Sequence, residues 1–155
     1  MSSEITFKRT DSENKDFIKL VASLDDYLSI INGEDDSFFR KFNKVEDLQY
    51  VIVAYLNSIP VGCGALKIFD TDSLEIKRMF VDPIYRGRKI AQQIVAELEL
   101  WAQELNYNSC ILETSTEMKP AVSLYRNVGY SEIPKYGQYK EVENSICFKK
   151  ELNKN

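Results

Sequence analysis

The sequence has no histidine among its 155 residues. That absence excludes the Ser-His-Asp and Cys-His nucleophile systems, and it excludes zinc sites that depend on imidazole ligands. Any catalytic acid or base must therefore be an Asp, Glu, Tyr, Lys or Cys side chain. We predict no metal site from the residues that remain.

Cysteine is scarce as well, and the three thiols are those of Cys63, Cys110 and Cys147. Each lies in an apolar segment, and no two of them have the C-x-x-C spacing of a metal or redox site. An odd number of widely separated thiols does not suit a disulfide framework. We therefore predict buried, reduced side chains that act as small hydrophobic residues.

Long hydrophobic runs and a basic charge balance are also missing. No run approaches the roughly 18–20 apolar residues that cross a bilayer, and the stretch MSSEITFKRTDSENK lacks a signal-peptide layout. The net charge of −4 disfavours a nucleic-acid partner, although the basic stretch 77–89 leaves such a contact as a weaker alternative. We expect one cytoplasmic domain over residues 1–155, with no membrane or nucleic-acid partner.

What the chain does have is a clear alternation of strand and helix patterns. Apolar residues at helical spacing predict a pair of helices over about residues 13–43, and Ile90, Ile94 and Leu98 begin the stripe of a long central helix. The turn pair Asn57-Ser58 separates two strand-like runs and predicts a tight hairpin. The predicted order is β-α-α-β-β-β-α-β-α-β-β, with strands near residues 4–10, 50–57, 59–69, 74–82, 109–114, 130–134 and 144–152. This order indicates a mixed α/β or α+β domain with helices on a sheet.

A cluster of positive charge stands where the central helix begins. Pro83 ends the preceding strand, and the sequence RGRKIA follows at residues 86–91. The first amides of a helix are unbonded and carry roughly half a positive charge, so a glycine and cations at this point favour a phosphate group. A solvated basic turn without a ligand is the alternative.

The context of this cluster resembles the acetyl-CoA-binding signature of the GNAT N-acetyltransferase superfamily. In that signature a strand ends V-D-P, and R/Q-x-x-G-x-G/A then enters a long helix; the chain reads V-D-P-I-Y-R-G-R-K-I-A, with Lys89 in place of the central glycine. Residues 117–130 resemble the second motif, A-x-x-L-Y-x-x-x-G-F/Y, although an asparagine common upstream of it is Met118 here. The resemblance covers residues 74–130, which we interpret as the acetyl-CoA-binding core.

The resemblance implies the fold and the reaction. The expected fold is a central, mostly antiparallel, twisted sheet of about seven strands flanked by about four helices. The expected enzyme is an acyltransferase that moves the acetyl group of its co-substrate, acetyl-CoA, directly to a primary amine in a ternary complex. The residues implied to contact the co-substrate are Met79, Phe80, Val81, Arg86, Gly87, Arg88, Lys89, Ile90, Ala91 and Tyr125.

Two of the implied residues would be catalytic. Tyr125 would donate a proton to the coenzyme A sulfur, because a phenol is protonated at neutral pH; core packing is its alternative role. Glu75 would be the base that takes a proton from the amine, either directly or through a water molecule. Its alternative is an exposed strand carboxylate paired with Lys77.

The acceptor is the part that the sequence defines least. Asp25, Asp26 and Tyr27, together with Glu75, are candidate contacts to a cationic amine, while a solvated polar face is the competing interpretation. We favour a small-molecule amine over a protein or peptide amine. A non-catalytic acyl-CoA-binding or sensing module is the runner-up from another class, and the oligomeric state, a homodimer included, is left open.

Overall fold

The structure of the protein is a computed structural model that describes residues 4–32 and 47–152. Single turns of 3₁₀ helix cover Pro83–Tyr85 and Gly137–Tyr139. The helices and strands are, in chain order, β1 (Ile5–Thr10), α1 (Lys15–Asn32), β2 (Tyr50–Leu56), β3 (Ile59–Ile68), β4 (Ser73–Val81), α2 (Ile90–Glu104), β5 (Ser109–Ser115), α3 (Lys119–Asn127), β6 (Ser131–Ile133) and β7 (Ser145–Glu151).

The seven strands hydrogen bond in the order β1-β2-β3-β4-β5-β7-β6. The pairs β1/β2, β2/β3, β5/β7 and β6/β7 are antiparallel, and β4 pairs with β5 in parallel. The predicted mixed α/β class and the predicted number of strands are confirmed. The described residues contain three α-helices rather than about four, and the second helix of the pair predicted over about residues 13–43, the one that carries Phe38, Phe39 and Phe42, lies outside them.

The hairpin between β2 and β3 turns where the sequence predicted it. Asn57 and Ser58 have φ angles of 51° and 69°, so both central residues of this two-residue turn are left-handed. That geometry matches the twist of antiparallel strands, and asparagine tolerates it better than most residues. The turn sets the register in which Leu56 faces Ile59.

The chain forms two compact units. The first contains the described residues of Met1–Lys67 together with Ile76–Leu98, and its core is built from α1, β2, β3 and β4. One face of α1 buries its apolar side chains against these strands, as its helical spacing predicted. The buried members of this core are Phe17, Leu20, Val21, Leu24, Leu48, Val51, Val53, Cys63, Ala65 and Phe80.

Two glycines on β3 let the first half of α2 lie close to the strand. A Cβ atom on Gly62 would come within 2.9 Å of the Phe80 carbonyl oxygen and 3.0 Å of Ile94 Cδ1. A Cβ atom on Gly64 would meet Ile94 at 3.0 Å and would collide with the Met79 sulfur at 2.6 Å. Because only glycine fits at these positions, α2 is held at a fixed distance from β3 and its first residue has a defined place.

The second unit contains Ile68–Glu75 and Glu99–Asn155. In it the Tyr130 hydroxyl donates to Glu99 Oε2 at 2.8 Å, and Lys150 Nζ donates to Glu99 Oε1 at 3.0 Å. This network ties the second half of α2 to β7 and to the segment after α3. Within this network the Tyr130 hydroxyl, the Lys150 ammonium group and both Glu99 carboxylate oxygens are hydrogen bonded, as partly buried polar groups require.

The cysteine prediction is confirmed, because all three thiols are free and buried. Within residues 4–32 and 47–152, no helix has the length and apolar character that crossing a bilayer demands.

Candidate active site

The segment that joins β4 to α2 is a compact turn with two left-handed residues. Asp82 Oδ1 accepts a hydrogen bond from the Ile84 amide at 3.0 Å and so starts the single 3₁₀ turn. Gly87 then has a φ angle of 83° and Lys89 one of 62°. Lys89 stands where the resembling signature has glycine, and it adopts the backbone conformation that glycine adopts most easily.

The backbone of this turn is open on one side. A Cβ atom built on Gly87 would find no other atom within 4 Å. The side chains of Arg88 and Lys89 are exposed. The turn therefore presents accessible main chain beside two exposed cationic residues at the start of α2, which is the donor set that suits a phosphate group.

The third cation of the cluster, Arg86, makes contacts within the first unit. Its Nε donates to the Val81 carbonyl at 3.1 Å, and its guanidinium lies 5.1 Å from the centre of the Tyr27 ring. Arg86 therefore holds the end of β4 and contacts α1. Tyr27, predicted as an acceptor contact, is the aromatic partner of this arginine.

Strand β4 has an irregular backbone immediately before residues 79–81. Arg78 has a φ angle of 58°, which is unusual for a non-glycine residue and especially so within a strand. The Cys63 thiol donates to the Arg78 carbonyl oxygen at 3.4 Å. Arg78 Nη2 donates to both carboxylate oxygens of Asp25, at 2.9 and 3.1 Å. The strained residue is thus held by contacts to its main chain and to its side chain.

The structure separates the two aspartates predicted as acceptor contacts. Asp25 is the ion-pair partner of Arg78, whose side chain is only 4% exposed. Asp26 is exposed. Arg78 was not predicted as a site residue; its only signal in the sequence is a second cation, next to Lys77, in a strand that also carries Glu75.

Tyr125 lies on α3 in the second unit and is 5% exposed. Its ring packs against Tyr130 and Phe148, with centroid distances of 5.7 and 6.4 Å. Burial raises the pKa of the Tyr125 phenol above its ordinary value, so the hydroxyl keeps its proton at neutral pH. In the part of the chain that the structure describes, no hydrogen bond engages that hydroxyl, and it is free to donate.

Glu75 is buried on β4 in the second unit, with 7% exposure. The alternative of an exposed strand carboxylate is therefore wrong. Tyr136 donates its hydroxyl proton to Glu75 Oε2 at 2.6 Å, and burial together with the charge of Glu75 raises the pKa of the Tyr136 phenol. Tyr136 was not predicted as a site residue; the aromatic residues of the segment 134–139 were its only signal in the sequence.

The predicted site residues thus fall into two groups. Residues 25–27, 79–81 and 86–91 belong to the first unit, and Glu75 and Tyr125 belong to the second. Among the described residues, no group of three His, Cys, Asp or Glu side chains could hold a metal ion.

Residues 17–130 match the model of the acetyltransferase (GNAT) family. Because the match spans most of the sequence, the chain belongs to this family. The predicted superfamily and the predicted enzyme class, an acyltransferase, are confirmed.

Individual relatives agree with this membership. An IAA acetyltransferase of Azospirillum brasilense is 29% identical over 157 residues, covering 96% of this chain and 98% of that protein. A crystal structure from Klebsiella pneumoniae, described as an acyl-CoA N-acyltransferase, has a TM-score of 0.79 at 23% identity and covers 96% of this chain and 98% of that one. The PaiA N-acetyltransferase of Thermoplasma acidophilum, solved in complex with coenzyme A, has a TM-score of 0.70 at 17% identity, with 96% and 99% covered. At these identities the two structures establish the shared fold.

Proposed function

We propose that the chain transfers the acetyl group of acetyl-CoA to the primary amine of a small molecule, directly and in a ternary complex. The observation that carries this proposal is the open turn at the start of α2, found in a member of the acetyltransferase family. The coenzyme A bound to the Thermoplasma neighbour supports acetyl-CoA as the co-substrate. When acetyl-CoA is bound, its thioester supplies an activated acyl group and a thiolate leaving group.

The turn at residues 86–91 is proposed to bind the diphosphate of the co-substrate. Its accessible main chain at Gly87, the exposed cations Arg88 and Lys89, and the free amides at the start of α2 all favour an anion. Arg86 supports this segment by holding Val81 and contacting Tyr27. The amides of residues 79–81, which follow the irregular Arg78, are proposed to contact the pantetheine arm and the acyl carbonyl.

Tyr125 is proposed to protonate the leaving sulfur. The leaving thiolate is the conjugate base of a thiol that titrates at about 8.5, and the Tyr125 phenol, protonated at neutral pH, donates to the sulfur while negative charge develops on it as the C–S bond breaks. The buried hydroxyl of Tyr125 has no acceptor among the described residues, which leaves its proton available for this task.

Glu75 is proposed to take the proton from the acceptor amine. An alkylammonium titrates at about 10.4, so it must lose a proton before its nitrogen can attack a carbonyl carbon. Glu75 is a buried carboxylate with one oxygen hydrogen bonded to Tyr136. This hydrogen bond fixes the orientation of the carboxylate group.

Direct transfer is favoured over a covalent cysteine intermediate. Burial raises the pKa of the Cys63 and Cys110 thiols to about 12, and it also raises that of Cys147. Since the thiolate is the reactive form of cysteine, none of the three is an effective nucleophile at neutral pH.

A small-molecule acceptor is favoured by the Azospirillum relative, which is named for IAA and matches nearly the full length of both chains. Asp26 and Tyr27 are proposed to face the acceptor from α1, and Asp25 contributes through its ion pair with Arg78. A single functional domain over residues 1–155 and a cytoplasmic location remain predictions.

The test is the release of free coenzyme A from acetyl-CoA across a panel of amino acids, polyamines, aminoglycosides and peptides. We expect release that depends on one class of small amine and product mass increased by one acetyl group. Release with peptides alone would assign a protein amine as acceptor. Tight binding of acetyl-CoA without release for any amine would contradict the enzyme and favour the sensing module.

A further inference from the structure

Tyr136 contacts Glu75 although the two residues are 61 positions apart. Glu75 lies on β4, and Tyr136 lies in the loop between β6 and β7. The distance of 2.6 Å from the hydroxyl to Oε2 is that of a short hydrogen bond between a neutral hydroxyl and a carboxylate. The partner of the proposed base is therefore a residue outside both motifs that resemble the family signature.

The loop holds Tyr136 in a defined orientation. Its ring meets Phe69 edge-on at 5.1 Å and Tyr139 edge-on at 5.7 Å. Next to it, Lys135 Nζ donates to the carbonyl oxygens of Val142 and Glu143, at 2.5 and 3.1 Å. Because both the ring and the adjacent main chain are fixed, the hydroxyl has little freedom to leave Glu75.

The hydrogen bond matters because Glu75 is buried. A buried carboxylate takes its orientation from its hydrogen-bond partners in the protein rather than from solvent. A hydroxyl that donates to one carboxylate oxygen therefore fixes the direction of the other oxygen. Tyr136 itself remains protonated, since burial and the charge of Glu75 raise its pKa.

We propose that Tyr136 is a positioning residue for Glu75: its hydroxyl holds Oε2 of the buried carboxylate and so aims Oε1 at the acceptor amine. This inference rests on the proposed function, in which Glu75 is the base. The proton that leaves the ammonium nitrogen moves to Glu75, and the proton of Tyr136 stays on its own oxygen. The amine lone pair is then free to attack the acyl carbon.

The test is Tyr136→Phe, which removes the hydroxyl and keeps the ring between Phe69 and Tyr139. We expect kcat to fall about tenfold or more, the size of effect that loss of a hydrogen bond to a charged group has. KM for acetyl-CoA is expected to stay within about twofold, because the variant leaves the diphosphate-binding turn untouched. Tyr139→Phe is the matched control, because it also removes one phenolic hydroxyl and its ring packs edge-on against Tyr136 in the same aromatic cluster.

A double-mutant cycle separates positioning from a general structural effect. If Tyr136 acts through Glu75, adding Tyr136→Phe to Glu75→Gln changes kcat by less than about twofold. An equal fall in both backgrounds, an unchanged kcat in Tyr136→Phe alone, or an unfolded Tyr136→Phe chain would overturn the inference.

The inference and the proposed function can fail separately. A wild-type chain that acetylates no amine contradicts the proposed function and the inference with it. A Glu75→Gln variant with wild-type kcat removes Glu75 as the base and leaves the acetyltransferase activity standing. A Glu75→Gln variant that loses activity, beside a Tyr136→Phe variant that keeps it, overturns the role of Tyr136 only.

Discussion

At the scale of single residues, the Tyr125 hydroxyl is buried where no described side chain accepts its proton. A buried, unpaired hydroxyl is costly to the folded protein, so it is best explained by a bond that forms only with a ligand. We predict that Tyr125→Phe lowers kcat by about 100-fold, a typical contribution of a general acid, and leaves the Kd for acetyl-CoA within about twofold.

Steady-state kinetics and calorimetric titration measure the two quantities. Tyr107→Phe is the control, because Tyr107 is only half-buried and its hydroxyl makes no hydrogen bond to the described residues. An unchanged kcat in Tyr125→Phe would show that Tyr125 only packs in the core and is not the acid.

The backbone conformation of Lys89 is expected to have a measurable effect on stability. Its φ angle of 62° places a side chain in the left-handed region, where an L-residue is disfavoured by about 1–2 kcal/mol. We predict that Lys89→Gly raises the free energy of unfolding by about 0.5–1 kcal/mol, after the greater flexibility of glycine in the unfolded chain is allowed for.

Urea denaturation measures this change. Lys89→Ala removes the same charge but keeps a Cβ atom, so we expect it to give no such gain. Equal stabilities of the two variants would show that the left-handed turn is not strained.

At the scale of elements, α1 and β4 are joined by the ion pair between Asp25 and Arg78. Arg78 is strained and its side chain is almost fully buried, so loss of its partner leaves a buried positive charge without compensation. We predict that Asp25→Asn lowers the free energy of unfolding by about 2 kcal/mol, less than for a fully buried pair because Asp25 is 27% exposed.

The neighbouring exposed residue provides the control for this prediction. Asp26→Asn makes the same chemical change one position further along α1, and we expect its effect to stay within about 0.5 kcal/mol. Thermal or urea denaturation of both variants measures the difference, and similar losses for the two would rule out a special role for the pair.

At the scale of the whole molecule, the folded chain holds protons that the unfolded chain releases at lower pH. Burial raises the pKa of the Cys63 and Cys110 thiols to about 12, whereas an unfolded thiol titrates near 8.5. Above pH 8.5 the folded state therefore binds more protons than the unfolded state. The buried thiols contribute their full stability below pH 8.5, and this contribution declines as the pH rises toward 12.

We predict that the free energy of unfolding falls between pH 9 and pH 11, by up to about 1.4 kcal/mol per pH unit for each buried thiol. Urea denaturation at pH 8, 9, 10 and 11 measures the slope. Cys63→Ala is expected to reduce it, and a stability that does not change over this range would contradict the buried positions of the thiols.

Much of the fold could be predicted from local patterns. The stripe of Ile90, Ile94 and Leu98 marked α2, and these side chains are indeed buried. Asn57 and Ser58 marked the first hairpin, because few residues accept two left-handed positions in a row. These features depend on neighbours in sequence, which is why the sequence was sufficient to predict them.

The contacts of the candidate site depend on tertiary structure and could not be predicted in the same way. Arg78 and Asp25 are 53 positions apart, and no periodicity links them. The burial of Glu75 and its bond to Tyr136 likewise require β4 and the loop before β7 to be in place. The motif located the turn before α2, but the φ angle of Lys89 and the contacts of Arg86 with Val81 and Tyr27 depend on the packing of α1 and β4.

The most direct test of the central claim is a crystal structure of the chain with coenzyme A. The account predicts diphosphate oxygens within hydrogen-bond distance of the main-chain amides of residues 87–91, beside Arg88 and Lys89. A coenzyme bound with its diphosphate away from the start of α2 would contradict it.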